Sequence, residues 1–252
     1  MGVRLQKIIS KWGIASRRQA EEMIKLERVR VNGVLAHLGQ KVNPETDTIS
    51  VDGKIVSTNE RPISTYLLIN KPPGVVSTCY DPQGRPTVLD LLPDELGVGQ
   101  GIHPVGRLDA DSTGALILTN DGELTFKLTH PRHNISKTYR VLVKGHPPEE
   151  TLQVWRKGVF LDKRKTRTAT VRLVEKKAGN SYLEVVLKEG RNRQIRRVAE
   201  QLGYPVIQLH RTAIGSIELQ SSTKEYLSEG SFRYLTDREV LYLNSTITEN
   251  PY

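Results

Sequence analysis

The spacing of apolar side chains changes along the chain, and that change separates two kinds of folding unit. Leu5, Ile8, Ile9 and Trp12 recur at helical spacing, so they share one helix face while Lys7 and Lys11 share another. Gly13 is placed to end that helix. Ser16, followed three residues later by Gln19, makes a capping box for a second helix, because each side chain can meet the other residue's free amide. Residues 28–35 then alternate, and the Asn32-Gly33 pair within them favours a tight hairpin turn. Residues 49–55 repeat the pattern. From Tyr66 onward the texture is β-rich, with predicted strands at 66–69, 137–143, 169–174 and 182–187 and predicted helices at 122–128 and 194–202. Such an order predicts an α+β fold on a mainly antiparallel sheet. The polar, proline-containing residues 57–65 read as a linker, and 245–252 as a loose polar tail. The expected division is therefore a small module plus linker at 1–62, a larger domain at 63–244, and the tail.

Charge narrows the partners. Lys and Arg number 37 against 28 Asp and Glu, a formal net charge of +9, which favours a polyanion and nucleic acid first. The excess is concentrated early, with nine Lys or Arg against three Glu in residues 1–41. Arg17 and Arg18 fall in the first turn of the second predicted helix, where cations oppose the helix dipole, so an external anion explains them better than folding does. No run approaches the roughly 20 apolar residues of a spanning helix, so no membrane partner is expected. Cys79 is the only cysteine, which excludes an internal disulfide and a multi-cysteine zinc site. A reducing, cytoplasmic setting fits, and the amino terminus lacks the apolar core of a secretory signal.

Three segments could carry chemistry. In Gly106-Arg107-Leu108-Asp109-Ala110-Asp111-Ser112-Thr113-Gly114 two acids stand two residues apart. An Asp-x-Asp metal site is one reading, but nothing nearby completes a hard-cation shell, and Ser112, Thr113 and Gly114 look like turn formers. In residues 188–197, Arg191, Arg193, Arg196 and Arg197 crowd into seven positions at a strand-to-helix junction. Like charges at helix spacing repel, so these four call for anions, either RNA phosphates or a carboxylate of the protein. The third segment, residues 136–141, is an alternating strand with Tyr139 between basic residues. Read alone, the two acids cannot be ranked; a glycosidase would want two working carboxylates across the scissile bond.

Residues 3–50, with Ser16-Arg17-Arg18-Gln19 ahead of the hairpin, resemble the S-four-type RNA-binding module, also called the alpha-L motif. That resemblance implies Arg17, Arg18, Lys25 and Arg30 as phosphate contacts. The three chemical segments together resemble the RsuA/RluB family of ribosomal RNA pseudouridine synthases over nearly the whole chain. The resemblance implies Asp109 as the catalytic acid, Tyr139 as the tyrosine that stacks on uracil, and Arg196 as the partner of Asp109. Residues 69–93 are similar to the family's substrate-side segment. Arg85, Arg107, Arg191 and Arg193 join the implied RNA contacts, although the position of Arg193 is often histidine in other pseudouridine synthases. Val75, Leu116 and Ile195 are expected to keep water from the pocket. The implied activity is cofactor-free and metal-free conversion of uridine to pseudouridine in ribosomal RNA or a ribosome-assembly intermediate by a monomer. Details of wording favour the large-subunit branch. The alternatives are a small-subunit enzyme of the RsuA type and a non-catalytic RNA-binding assembly protein, which would have no need of Asp109, Tyr139 and Arg196 together.

Overall fold

The computed structural model describes residues 2–56, 62–97, 99–220 and 225–245. Residues 57–61 of the expected linker and 246–252 of the expected tail lie outside the described residues. The chain forms two compact units. One comprises Met1–Tyr66, Leu92–His103 and Leu118–Gly122, the other Leu67–Leu91, Pro104–Ile117 and Glu123–Tyr252.

In the first unit the helix Leu5–Lys11 is followed by the helix Arg17–Lys25. The capping box forms as its sequence predicts: Gln19 N–H donates to Ser16 Oγ at 3.3 Å, and Ser16 N–H donates to Gln19 Oε1 at 3.0 Å. Strands Val29–Val31 and Val34–Leu35 pair antiparallel. Asn32 and Gly33 between them take φ of 52° and 80°, the two positive values that a type I′ hairpin needs. Ile49–Val51 and Lys54–Val56 complete a four-stranded sheet. Leu5, Ile9, Ala20, Val29 and Ile49 are buried in one core, and removal of such apolar area from water stabilises the module.

A nine-stranded sheet dominates the rest of the chain. Its main path runs Thr170–Lys177, Asn180–Leu187, Lys137–Lys144, Val206–Ile214, Thr113–Thr119, Tyr66–Lys71, Phe232–Tyr234. The pairings of Lys137–Lys144 with both neighbours are antiparallel, whereas Val206–Ile214 meets Thr113–Thr119 in parallel. Burial follows position. Asn180–Leu187 alternates buried and half-buried residues, with Leu183 and Val185 facing Leu152 and Trp155 of the helix Glu149–Lys157 and Ile195 and Val198 of the helix Gln194–Gln201. Thr113–Thr119 and Tyr66–Lys71 are buried almost continuously, as strands covered on both faces are.

One glycine decides how the two strand systems join. Gly114 pairs with Arg211 in the parallel bridge at φ +106°, and a Cβ there would stand 2.2 Å from Arg211 O. Only a residue without Cβ lets the backbones approach so closely. The glycine that closes the Asp109 segment thus anchors it to the sheet.

Candidate active site

Asp109 sits in a tight turn that ends at the strand Thr113–Thr119, with Ser112 N–H donating to Asp109 O at 3.0 Å. The turn is held from beneath by the segment that follows Tyr66–Lys71. Ser77 Oγ donates to Leu108 O at 2.9 Å and accepts Leu108 N–H at 3.1 Å. Gly74 N–H donates to Ala110 O at 2.8 Å. Lys71, fully buried at 0 % exposure, donates from Nζ to Val75 O at 2.7 Å, Pro72 O at 2.8 Å and Ala110 O at 3.4 Å. Burial pushes the Lys71 ammonium down to about 8, against the opposing pull of Asp111 and Asp109. Residues either side of Asp109 are therefore fixed by backbone hydrogen bonds, which is how a loop acid acquires one position.

The guanidinium beside Asp109 belongs to Arg193, not to Arg196. Arg193 Nη1 donates to Asp109 Oδ2 at 3.2 Å and to Asp111 Oδ1 at 3.1 Å, while its Nη2 donates to Asp111 Oδ2 at 3.0 Å. Arg196, with a side chain 14 % exposed, lies against Asp111 at 3.4 Å and donates to Asp111 O and Ser112 Oγ. The cause is local backbone geometry. Arg193 caps the helix Gln194–Gln201 in the left-handed region, at φ 47°, and this turns its side chain over the acids, whereas Arg196 is one turn inside the helix. The Arg193 hydrogen bond, with the charges of Arg196 and Arg193 adding to it, holds the Asp111 carboxyl below the usual range. Asp111 is thus more than a turn residue: it carries a share of the Arg193 charge.

The other arginines of this segment are largely met by the protein itself. Arg197 forms a bidentate pair with Asp162 at 2.6 and 2.9 Å, and Arg191 donates to the carbonyls of Arg164 and Lys165. Arg85 pairs with Asp81 and brings the Asp81 carboxyl down to about 2. Among the described residues no group of three or more His, Cys, Asp or Glu could hold a metal ion, and the Asp109 and Asp111 carboxylates face a guanidinium.

Asp109 and Arg193 open on a cleft of about 690 Å³. Asp109, Tyr139, Arg85, Arg107, Arg191 and Arg193 all line it, and Arg196 does not. Tyr139 comes from the strand Lys137–Lys144, next to a register shift between Thr138 and Tyr139 where that strand meets Val206–Ile214. A bulge of this kind re-aims a side chain. Of the three apolar residues expected at the pocket wall, Ile195 lines the cleft, whereas Leu116 is fully buried in its strand and Val75 is buried with its carbonyl on Lys71. In the amino-terminal unit Arg17 and Arg18 are exposed on the first turn of their helix. Lys25 pairs with Glu22 at 3.2 Å, and Arg30 donates to Gly33 O at 3.0 Å.

Lys71, Ser77 and the role of Arg193 were not singled out by motif reasoning. A lysine closing an otherwise apolar strand, just before Pro72-Pro73, is the sequence signal that could have found the first.

A family model described as RNA pseudouridylate synthase matches residues 65–201, and one for the S4 domain matches residues 3–49. The chain is 43% identical over 245 residues to the protein of Bacillus subtilis (strain 168) named ribosomal large subunit pseudouridine synthase B, covering 96% of each. A protein of the same name from Vibrio vulnificus (strain CMCP6) is 37% identical over 253 residues, covering 100% of this chain and 77% of the other. A solved structure titled crystal structure of pseudouridylate synthase matches with a TM-score of 0.67 and 29% identity, over 96% of this chain and 99% of that one.

Proposed function

The chain belongs to the RNA pseudouridylate synthase family, and from that premise we propose that it converts a uridine of large-subunit ribosomal RNA into pseudouridine. The observation that carries the site assignment is the placement of Asp109 in the cleft, fixed through its neighbours' backbone and faced at 3.2 Å by Arg193. The names of the relatives support the large-subunit substrate. In this reading residues 1–62, which hold the segment matched by the S4 model, grip RNA and residues 63–244 perform the reaction, on naked ribosomal RNA or on an assembly intermediate.

Isomerisation breaks the bond from ribose C1′ to uracil N1, turns the base and joins C1′ to C5, with C5 losing a proton and N1 taking one up. The target must leave its stack to reach the cleft, at about a few kcal/mol for a paired base. Asp109 starts the reaction at the ribose, as nucleophile or as the base of an elimination, and either role uses its charged form. Arg193, donating to Asp109 Oδ2 at 3.2 Å, fixes the carboxylate's direction. Tyr139 lines the cleft and offers the ring on which the flipped uracil stacks, and its hydroxyl assists loss of the C5 proton. Ile195 helps keep water from the detached base.

The test has two arms. Pseudouridines are mapped in both ribosomal RNAs of a strain lacking the protein, and the purified protein is incubated with unmodified transcripts of each. Loss of one large-subunit pseudouridine, restored by the protein in vitro, is the expected result. Loss of a small-subunit pseudouridine would move the substrate assignment, and no loss in either RNA would sink it.

A further inference from the structure

Beside the cleft lies a second cavity, of about 380 Å³, for which the reaction scheme has no task. Tyr139 and Arg107 form wall shared by the two. Glu189 is the one acid among the residues lining this cavity, while Lys137, Arg164 and Arg211 are among its cations. Two of those cations are built into the sheet. Arg211, on Val206–Ile214, is 4 % exposed. Its Nε donates to Ala115 O at 2.6 Å, and its Nη2 is buried without a hydrogen-bond partner. Lys137, the first residue of its strand, gives one hydrogen bond, to Ile135 O at 3.0 Å. Among the described residues neither forms an ion pair, and burial together with Arg211 pushes the Lys137 ammonium down to about 8.

A buried guanidinium and a half-buried ammonium without a counter-charge cost the free protein stability, since desolvation is offset only by a paired anion. The hydrogen bond to Ala115 O accounts for Arg211 Nε, but folding leaves its Nη2 without a partner. The contrast with Arg193, whose guanidinium is met by Asp109 and Asp111, is direct. We infer that the cavity is an anion subsite in which Lys137 and Arg211 hold a backbone phosphate of the RNA, the phosphodiester flanking the uridine in the cleft. The inference rests on the pseudouridine synthase reading, because a nucleotide in the cleft is what brings its phosphate to the shared wall at Tyr139. A flipped nucleotide swings about its backbone, so a grip on a flanking phosphate favours the extruded state while leaving the base free to turn. A free phosphate has the same chemistry, and the experiment separates the two sources.

The probes are an unmodified transcript of the large-subunit ribosomal RNA and inorganic phosphate. Lys137→Met, with Lys137→Arg as the charge-preserving control, is compared with the wild type after thermal melting has verified folding; if Lys137→Met fails to fold, Lys137→Gln takes its place. The charge-removing variant is expected to bind the transcript about tenfold more weakly and to flatten the plot of log affinity against log salt by about 0.7 to 0.9, and Lys137→Arg is expected to restore both. Unchanged affinity and slope would overturn the inference. So would a rise in the wild type's melting temperature with inorganic phosphate, absent in Lys137→Met, if transcript binding by the two stays equal, because the site would then serve a free anion. Pseudouridine formation by the wild type on the same transcript tests the underlying reading by itself: if it forms and Lys137→Met binds RNA normally, only the phosphate subsite fails.

Discussion

The amino-terminal module and the catalytic cleft both gather arginines, and they treat them in opposite ways. At the start of the helix Arg17–Lys25 there is no acid in the first turn, and Arg17 and Arg18 stand exposed. Around the cleft, Arg193 is held by two carboxylates and Arg85 by Asp81. An exposed, unmatched cation gains a phosphate and releases counterions when RNA arrives, so it contributes affinity. A guanidinium already locked on a carboxylate adds little affinity, but it fixes that carboxylate's direction. On the proposed function the same residue type would therefore serve adhesion in one region and positioning in the other.

The comparison breaks most sharply at Asp109. Asp109→Asn is nearly isosteric, so it leaves RNA adhesion in place while removing the reacting charge. Turnover should fall by at least about a thousandfold, with transcript affinity within about twofold of the wild type. Quantifying pseudouridine in the transcript alongside a binding titration checks both halves. A variant that binds normally and still turns over would show that the cleft acid is not the reacting group.

Arg193 and Arg196 sharpen the positioning half. Arg193→Met should lower the single-turnover rate by about a hundredfold, the magnitude typical when one preorganised charge beside the reacting centre is lost. Arg196→Met should act on stability instead, by about 1 to 3 kcal/mol, because it strips donors from Asp111 O and Ser112 Oγ in a mostly buried place. If rates ranked the other way, the pairing of Arg196 with Asp109 implied by the family resemblance would be reinstated.

Lys71 is a third kind of cation, buried and bonded to carbonyls rather than to phosphate or carboxylate. Its folded-state value of about 8 lies below the ordinary 10.5, so between those limits the unfolded chain holds more protons and rising pH favours the folded state. Lys71→Met lacks this titration. The wild type's advantage in unfolding free energy over the variant should therefore widen by about 1 to 3 kcal/mol as pH rises from 7.5 to 10.5. Denaturant titrations at the two ends of the window measure it, and a constant gap would mean that the three carbonyls stabilise the ammonium enough to cancel its desolvation.

Local signals were legible in the sequence wherever the physics is local. Ser16 with Gln19, Asn32 with Gly33, and the alternation around Tyr139 each involve neighbours along the chain, and each formed the predicted element. The helix Glu149–Lys157 went unread, although Glu149 and Glu150 open it and Arg156 and Lys157 close it in accord with the helix dipole. What could not be read was which arginine reaches Asp109. That depends on one left-handed residue at Arg193, a conformation that costs a non-glycine side chain energy and has no compositional mark. Lys71 was hidden for a related reason. Pro72 and Val75 lie within four residues of it, but its third partner, Ala110, lies 39 residues away and is brought to it only by the fold.

The smallest effect tests the adhesive half of the comparison. Replacing Arg17 and Arg18 by alanine removes two exposed charges while leaving the capping box at Ser16 and Gln19 intact, so the helix should persist. Each lost phosphate contact should reduce the salt slope by about 0.7 to 0.9, and the pair should weaken transcript binding by about tenfold at physiological salt. Turnover at saturating RNA should stay unchanged, because neither residue lines the cleft. That split is the informative part. A fall in saturated turnover would mean that the module also sets how RNA enters the cleft, whereas an unchanged salt slope would mean that these exposed arginines meet no phosphate and that the unmatched charge at this helix start is a solvated surface.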